Sequence, residues 1–130
     1  MGGYRGSRED DGTLDDLKKK MALRLICKNQ YKEKNIIRII VDEAVSYGWA
    51  FTKDSFCIGG QWDYEGSGTI IIPYESIIKV DTTVTRSKFY LTYDSGDGEN
   101  TIMLRYTWGR YQDWDFGRLE KYLKAVKSFY

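Results

Sequence analysis

Short runs of apolar and β-branched residues, each cut off by turn formers, dominate the middle of the chain. Residues 48–80 read GWAFTKDSFCIGGQWDYEGSGTIIIPYESIIKV. There Trp49 and Phe51, then Phe56 and Ile58, recur at every second position around Thr52-Lys53-Asp54, which predicts a hairpin of 47–51 with 55–58. Residues 69–72 form a third short strand. It is stopped by Pro73, the only proline, which removes a ladder donor as expected at a strand end or edge. Two more strands, 77–81 and 87–93, follow around TTVTR. In the second, Phe89, Leu91 and Tyr93 alternate with Tyr90 and Thr92. DSGDGEN (94–100) is dense in turn formers and predicts a hairpin tip, with 101–106 returning as the last strand. Upstream, NIIRIIVDE (35–43) carries apolar residues on both faces, Ile37, Ile39 and Val41 on one and Ile36 and Ile40 beside Arg38 on the other. Such a strand needs cover on its second side, and the N-terminal helix is expected to supply it.

Two segments have a helical period instead. In 13–30, Leu14, Leu17, Met21 and Leu25 form a stripe that Ala22 and Ile26 widen. Thr13 with Asp16 makes a capping-box-like start, and Asp15 and Asp16 suit the helix dipole. The run Lys18-Lys19-Lys20 falls mostly on the opposite face. It reads as a solvated face, with a phosphate or lipid contact as the alternative. In 113–129, Asp113 is a good N-cap and Asp115 complements the first turn. Phe116, Leu119, Leu123 and Val126 line the apolar side, with Tyr122 and Phe129 alongside. Gly117 costs about 1 kcal/mol there against alanine, which close approach of the first turn to a strand would explain. Residues 1–12, glycine-rich and charged, read as a disordered tail. The expected organisation is one α+β, mainly β, domain over 13–130, with an N-terminal helix (13–30), a sheet (36–106) and a C-terminal helix (113–129).

Composition sharpens this reading. Aromatic residues make up 15% of the 130, which favours half-buried pleated surfaces. The net charge of +1 supplies no global field for nucleic acid, so none is expected as a partner. No apolar run of membrane-spanning length and no secretory signal is seen, so a cytoplasmic location is expected. Cys27 and Cys57 lie in a helix and a strand, where a free cysteine acts as a small hydrophobe, so no disulfide is expected.

The absence of histidine removes the common nucleophile–base pairs and most zinc sites. No phosphate-binding glycine motif or nucleophile elbow occurs. Gly59-Gly60 and Gly66-Ser67-Gly68 read as turns. Asp63 with Glu65 reads as a solvated loop rather than an acid/base pair. Asp94, Asp97 and Glu99 miss the spacing of a calcium loop. No catalytic, cofactor or metal residue is therefore assigned.

Seven short antiparallel strands followed by one amphipathic helix is the order of the pleckstrin-homology (PH) fold. With AFTKDSFCI, IIIPYESIIKV, KFYLTYDSG and FGRLEKYLKAV, the chain over roughly 36–129 resembles bacterial PH-like domains of the GRAM-related kind. That resemblance implies a bent seven-stranded sheet, a partly open barrel, capped by the C-terminal helix, with Leu119 and Leu123 fully buried. The N-terminal helix is an addition to the pattern. Relatives that bind phosphoinositides carry a Lys/Arg cluster in the first hairpin loop. The corresponding DEAVSYG is acidic, so that activity is not carried over.

The function expected is a non-catalytic interaction module for a protein or peptide, or a domain of a larger assembly that could self-associate. The alternatives are recruitment to anionic lipid and, remotely, an enzyme with a carboxylate site. Candidate binding residues are Trp62 and Tyr64, aromatic anchors on a glycine-flanked loop, and Arg86 and Lys88 beside a hairpin with Tyr90 nearby.

Overall fold

The computed structural model describes residues 7–9, 16–42, 45–61, 68–83, 88–105 and 116–129. The domain is mainly β, with two antiparallel sheets and a helix towards each end of the chain. Sheet A holds β1 (Ser7–Glu9), β2 (Ile36–Asp42), β3 (Tyr47–Thr52), β4 (Ser55–Gly60) and β5 (Gly68–Pro73), paired in that order. Sheet B holds β6 (Ile77–Thr82), β7 (Lys88–Asp94) and β8 (Glu99–Arg105), also in order. The helices are α1 (Asp16–Cys27) and α2 (Phe116–Lys127).

The seven expected strands are therefore present, but as two sheets rather than one bent sheet, and the barrel is not closed. Pro73 ends β5, and a 3₁₀ turn (Tyr74–Ser76) leads straight into β6. β1 was not expected: within the segment read as a tail, Ser7–Glu9 pairs with residues 40–42 of β2. The capping residues Thr13, Asp15, Asp113 and Asp115 lie outside the described residues.

Alternation along the strands sorts side chains into two apolar layers. The inner one joins Ile40, Tyr47, Trp49, Phe51, Phe56 and Ile58 of sheet A to Ile77, Val80, Phe89, Leu91, Ile102 and Leu104 of sheet B. α2 closes this layer with Phe116, Leu119 and Leu123, all fully buried. Phe116 lies between the sheets, its ring centroid 6.3 Å from Trp49 and 5.8 Å from Phe89. Tyr122 packs against Phe51 with the rings tilted by 43° and their centroids 4.1 Å apart. Phe129, expected beside the apolar stripe, is 86% exposed because α2 ends at Lys127.

The outer layer lies between sheet A and α1: Ala22, Ile26 and Cys27 against Ile39, Val41, Ala50 and Cys57. β2 is thus apolar on both faces because each face is covered. A register shift between Ile36 and Arg38 accompanies the outward placement of Ile37, which is 57% exposed.

The helix itself is turned relative to expectation. Leu17 and Met21 are 69% and 46% exposed, while Ala22 and Ile26 are buried and Leu23 and Leu25 sit at the rim. The sheet surface supplies the reason. A β-carbon on Gly59 would overlap the carbonyl of Leu25 and Cα of Ile26, and one on Gly48 would crowd Ile26. Gly59 lets the backbones of α1 and β4 come close, Gly48 leaves room for the Ile26 side chain, and close approach selects the face carrying the small Ala22. Among the described residues no helix is long and apolar enough to cross a membrane.

Candidate functional site

A groove of about 530 Å³ opens where α1 meets the ends of β4 and β5. Met21, Arg24 and Leu25 form its helical wall, with Val45 on another side and Gly60, Gly68 and Thr69 at its end. The helix is fixed there by a specific contact: Thr69 Oγ1 donates to the carbonyl oxygen of Leu25 at 2.7 Å. That oxygen lies in the last turn of α1, where carbonyls lack partners within the helix. Thr69→Val keeps the shape but orphans the carbonyl. It is expected to lower stability by about 1 kcal/mol in urea denaturation.

α1 ends without glycine. Lys28 and Asn29 both adopt left-handed backbone, φ 51° and 57°, while their N–H groups donate to the carbonyls of Arg24 and Leu23. This C-terminal turn leaves Lys28 in solvent beyond Arg24. The exposed side of α1 therefore alternates apolar and basic residues, Leu17, Lys20, Met21 and Arg24, at helical spacing. Across the whole helix four basic residues stand against one acid, Asp16. Lys19 is tied to Glu33 at 3.2 Å. A chain of net charge +1 thus carries a locally basic, partly apolar surface that continues into the groove.

A second cluster holds the β3–β4 turn. Tyr31 donates its hydroxyl to Asp54 Oδ1 at 2.8 Å, and Ser55 Oγ donates to the same oxygen at 3.0 Å. Thr52 Oγ1 accepts the N–H of Ser55 at 2.9 Å, and Tyr74 donates its hydroxyl to the Thr52 carbonyl at 2.6 Å. A shallow pocket of about 390 Å³ opens beside them, also lined by Ile71, Pro73 and Glu75. The hydrogen bond from Tyr31, then that from Ser55, holds the Asp54 carboxyl below its ordinary range against the opposing effect of burial. Burial in turn pushes the Tyr31 hydroxyl up. With the Tyr31 and Ser55 hydroxyls both donating to one Asp54 oxygen, the arrangement ties the segment after α1 to the hairpin.

A carboxyl whose folded pKa is depressed stabilises fully above its unfolded value, about 4, and loses that contribution as pH falls through the folded one. Asp54→Asn is accordingly expected to be less stable than wild type at pH 7. The gap should narrow below pH 4, as thermal melts across pH 3–7 would show.

Of the residues proposed from sequence, Trp62, Tyr64 and Arg86 lie outside the described residues. Lys88 is half-buried at the start of β7, its backbone exchanging hydrogen bonds with Thr83. It belongs to sheet B, whereas Gly60 and Gly68, which flank the Trp62–Tyr64 loop, belong to sheet A and line the groove. Lys88 does not line the groove. Sequence reasoning does not find Met21 and Arg24 because the helical period puts the apolar stripe on another face, nor Val45, which lies between β2 and β3 with no local pattern to mark it. The small Ala22 and the pair Gly59-Gly60 were the available signal. Comparison with known proteins returns no matching family model, and no curated protein or solved structure matches the chain.

Proposed function

We propose that this chain is a non-catalytic, PH-like interaction module whose groove between α1 and the β4–β5 ends takes a short acidic peptide segment carrying one apolar side chain. The PH-like reading draws support from the order of seven strands followed by a helix inserted between the sheets. The binding reading rests on one observation, the groove walled by Met21, Leu25 and Val45 with Arg24 at its lip. An apolar side chain fills the groove, and neighbouring carboxylates meet Arg24 and Lys20. Charge complementarity of this kind sets specificity and association rate.

The test is fluorescence anisotropy with defined peptides: acidic with a single Leu or Phe, acidic without it, and basic with it. The first should bind best, more weakly as salt rises. Met21→Asp and Arg24→Glu should each weaken it at least about tenfold, or roughly 1.4 kcal/mol, with unchanged circular dichroism melts because both side chains face solvent. Equal binding of all three peptides, or indifference to both substitutions, would overturn the proposal. The exposed Leu17 beside Lys18 and Lys20 favours the second reading, an anionic lipid surface. Salt-sensitive flotation with phosphatidylserine vesicles, without peptide binding, would decide for it.

A further inference from the structure

Cys27 and Cys57 are the only cysteines in the chain. One ends α1 and the other lies within β4, and both are completely buried. Their meeting follows from how α1 rests on the sheet. Gly59 admits the backbone of Leu25 and Ile26 against β4. Cys57, two residues earlier, points to the same face of the strand, and Cys27 follows Ile26 directly. Both thiols are free, and they belong to the same buried cluster between α1 and sheet A. Around them stand Ala22, Ile39, Val41, Val45 and Ala50, and among the described residues no cluster of metal-ligating side chains gathers. Neither cysteine belongs to the groove lining.

We propose that Cys27 and Cys57 are a modification site, a dithiol that a small-molecule disulfide oxidises reversibly to a bond fastening α1 onto β4. The Cys27 thiolate attacks one sulfur of the oxidant, forming a mixed disulfide and releasing one thiolate. Cys57 then gives its proton to solvent and attacks the Cys27 sulfur, expelling the second. Two protein thiols are oxidised and one small disulfide is reduced to two thiols. Cys27 is the one to ionise first because its neighbour's S–H stabilises the thiolate, whereas that same sulfur and burial push the Cys57 thiol up. Since both sulfurs are covered, the reaction waits on transient lifting of the last turn of α1. Once formed, the bond holds in place the helix that carries Met21, Arg24 and Leu25.

The test treats the folded, full chain with oxidised glutathione, followed by denaturation, maleimide labelling and intact mass. The expected product is monomeric, lighter by two hydrogens, unreactive to maleimide and restored by dithiothreitol. Its melting temperature should lie about 10 °C above the reduced form, the usual scale for a bond closing a loop of this kind. Cys27→Ala and Cys57→Ala, each checked for folding by circular dichroism, should show no such product and no oxidant-dependent shift. Retention of both thiols, separate glutathione adducts on each, a disulfide-linked dimer, or a lowered melting temperature would each overturn the proposal.

Discussion

Truncating Phe116 to alanine is expected to cost about 3–5 kcal/mol, the largest loss available from a single side chain in α2. Phe116 is completely buried and touches an aromatic ring from each sheet, Trp49 and Phe89. Between β5 and β6 there is a turn and no ladder, so side chains, not backbone hydrogen bonds, hold the two sheets together at this end. A cavity here forfeits contacts with both at once and cannot be refilled by one sheet moving. Urea denaturation followed by tryptophan fluorescence would measure the loss. Phe129→Ala on the same helix should stay within about 0.5 kcal/mol of wild type, as exposed sites do. A Phe116→Ala loss below about 1 kcal/mol would argue that α2 does not join the sheets.

Gly59→Ala is expected to destabilise by about 3 kcal/mol through a different cause. Nothing is removed. A methyl is added where the Leu25 carbonyl and Cα of Ile26 already stand. Backbone cannot swing aside as a long side chain can, so either α1 lifts or β4 bends, and overpacking of this kind is costly. Hydrogen exchange separates this variant from Phe116→Ala. Amides of α1 should lose protection first, while β7 and β8 keep theirs until global unfolding. Uniform loss of protection would mean that α1 and the sheets unfold as one unit.

The strands were legible because their period of two is local and strong. Trp49, Phe51, Phe56 and Ile58 all point where alternation sends them. α2 was legible too, because Leu119 and Leu123 have one apolar side to offer and one apolar opening to fill. The split into two sheets was not, since whether β5 pairs with β6 depends on the path after Pro73, which no pattern of apolar residues encodes. α1 was misread for a related reason. Leu17 and Met21 outrank Ala22 in hydrophobicity, but the partner surface, shaped by Gly48 and Gly59, selects for size. The candidate site inherited that error, since Met21 and Arg24 become surface only once the helix is turned. The cysteine pairing needed the same turn, and with it Tyr31 and Asp54 needed the path of the chain from α1 to the hairpin.

The placement of α2 after both sheets also sets an order of events during translation. Every described strand precedes the helix that closes the inner layer, so a nascent chain presents Trp49, Phe51 and Phe89 on an open apolar rim until Leu123 has been made. At about 5–20 residues per second, the interval between Leu104 and Leu123 lasts on the order of a second or more. For that time the half-made domain offers a surface that chaperones bind and that neighbouring nascent chains can misassemble against. Substitutions that weaken α2 docking should therefore reduce yield in cells by more than their equilibrium cost alone would indicate.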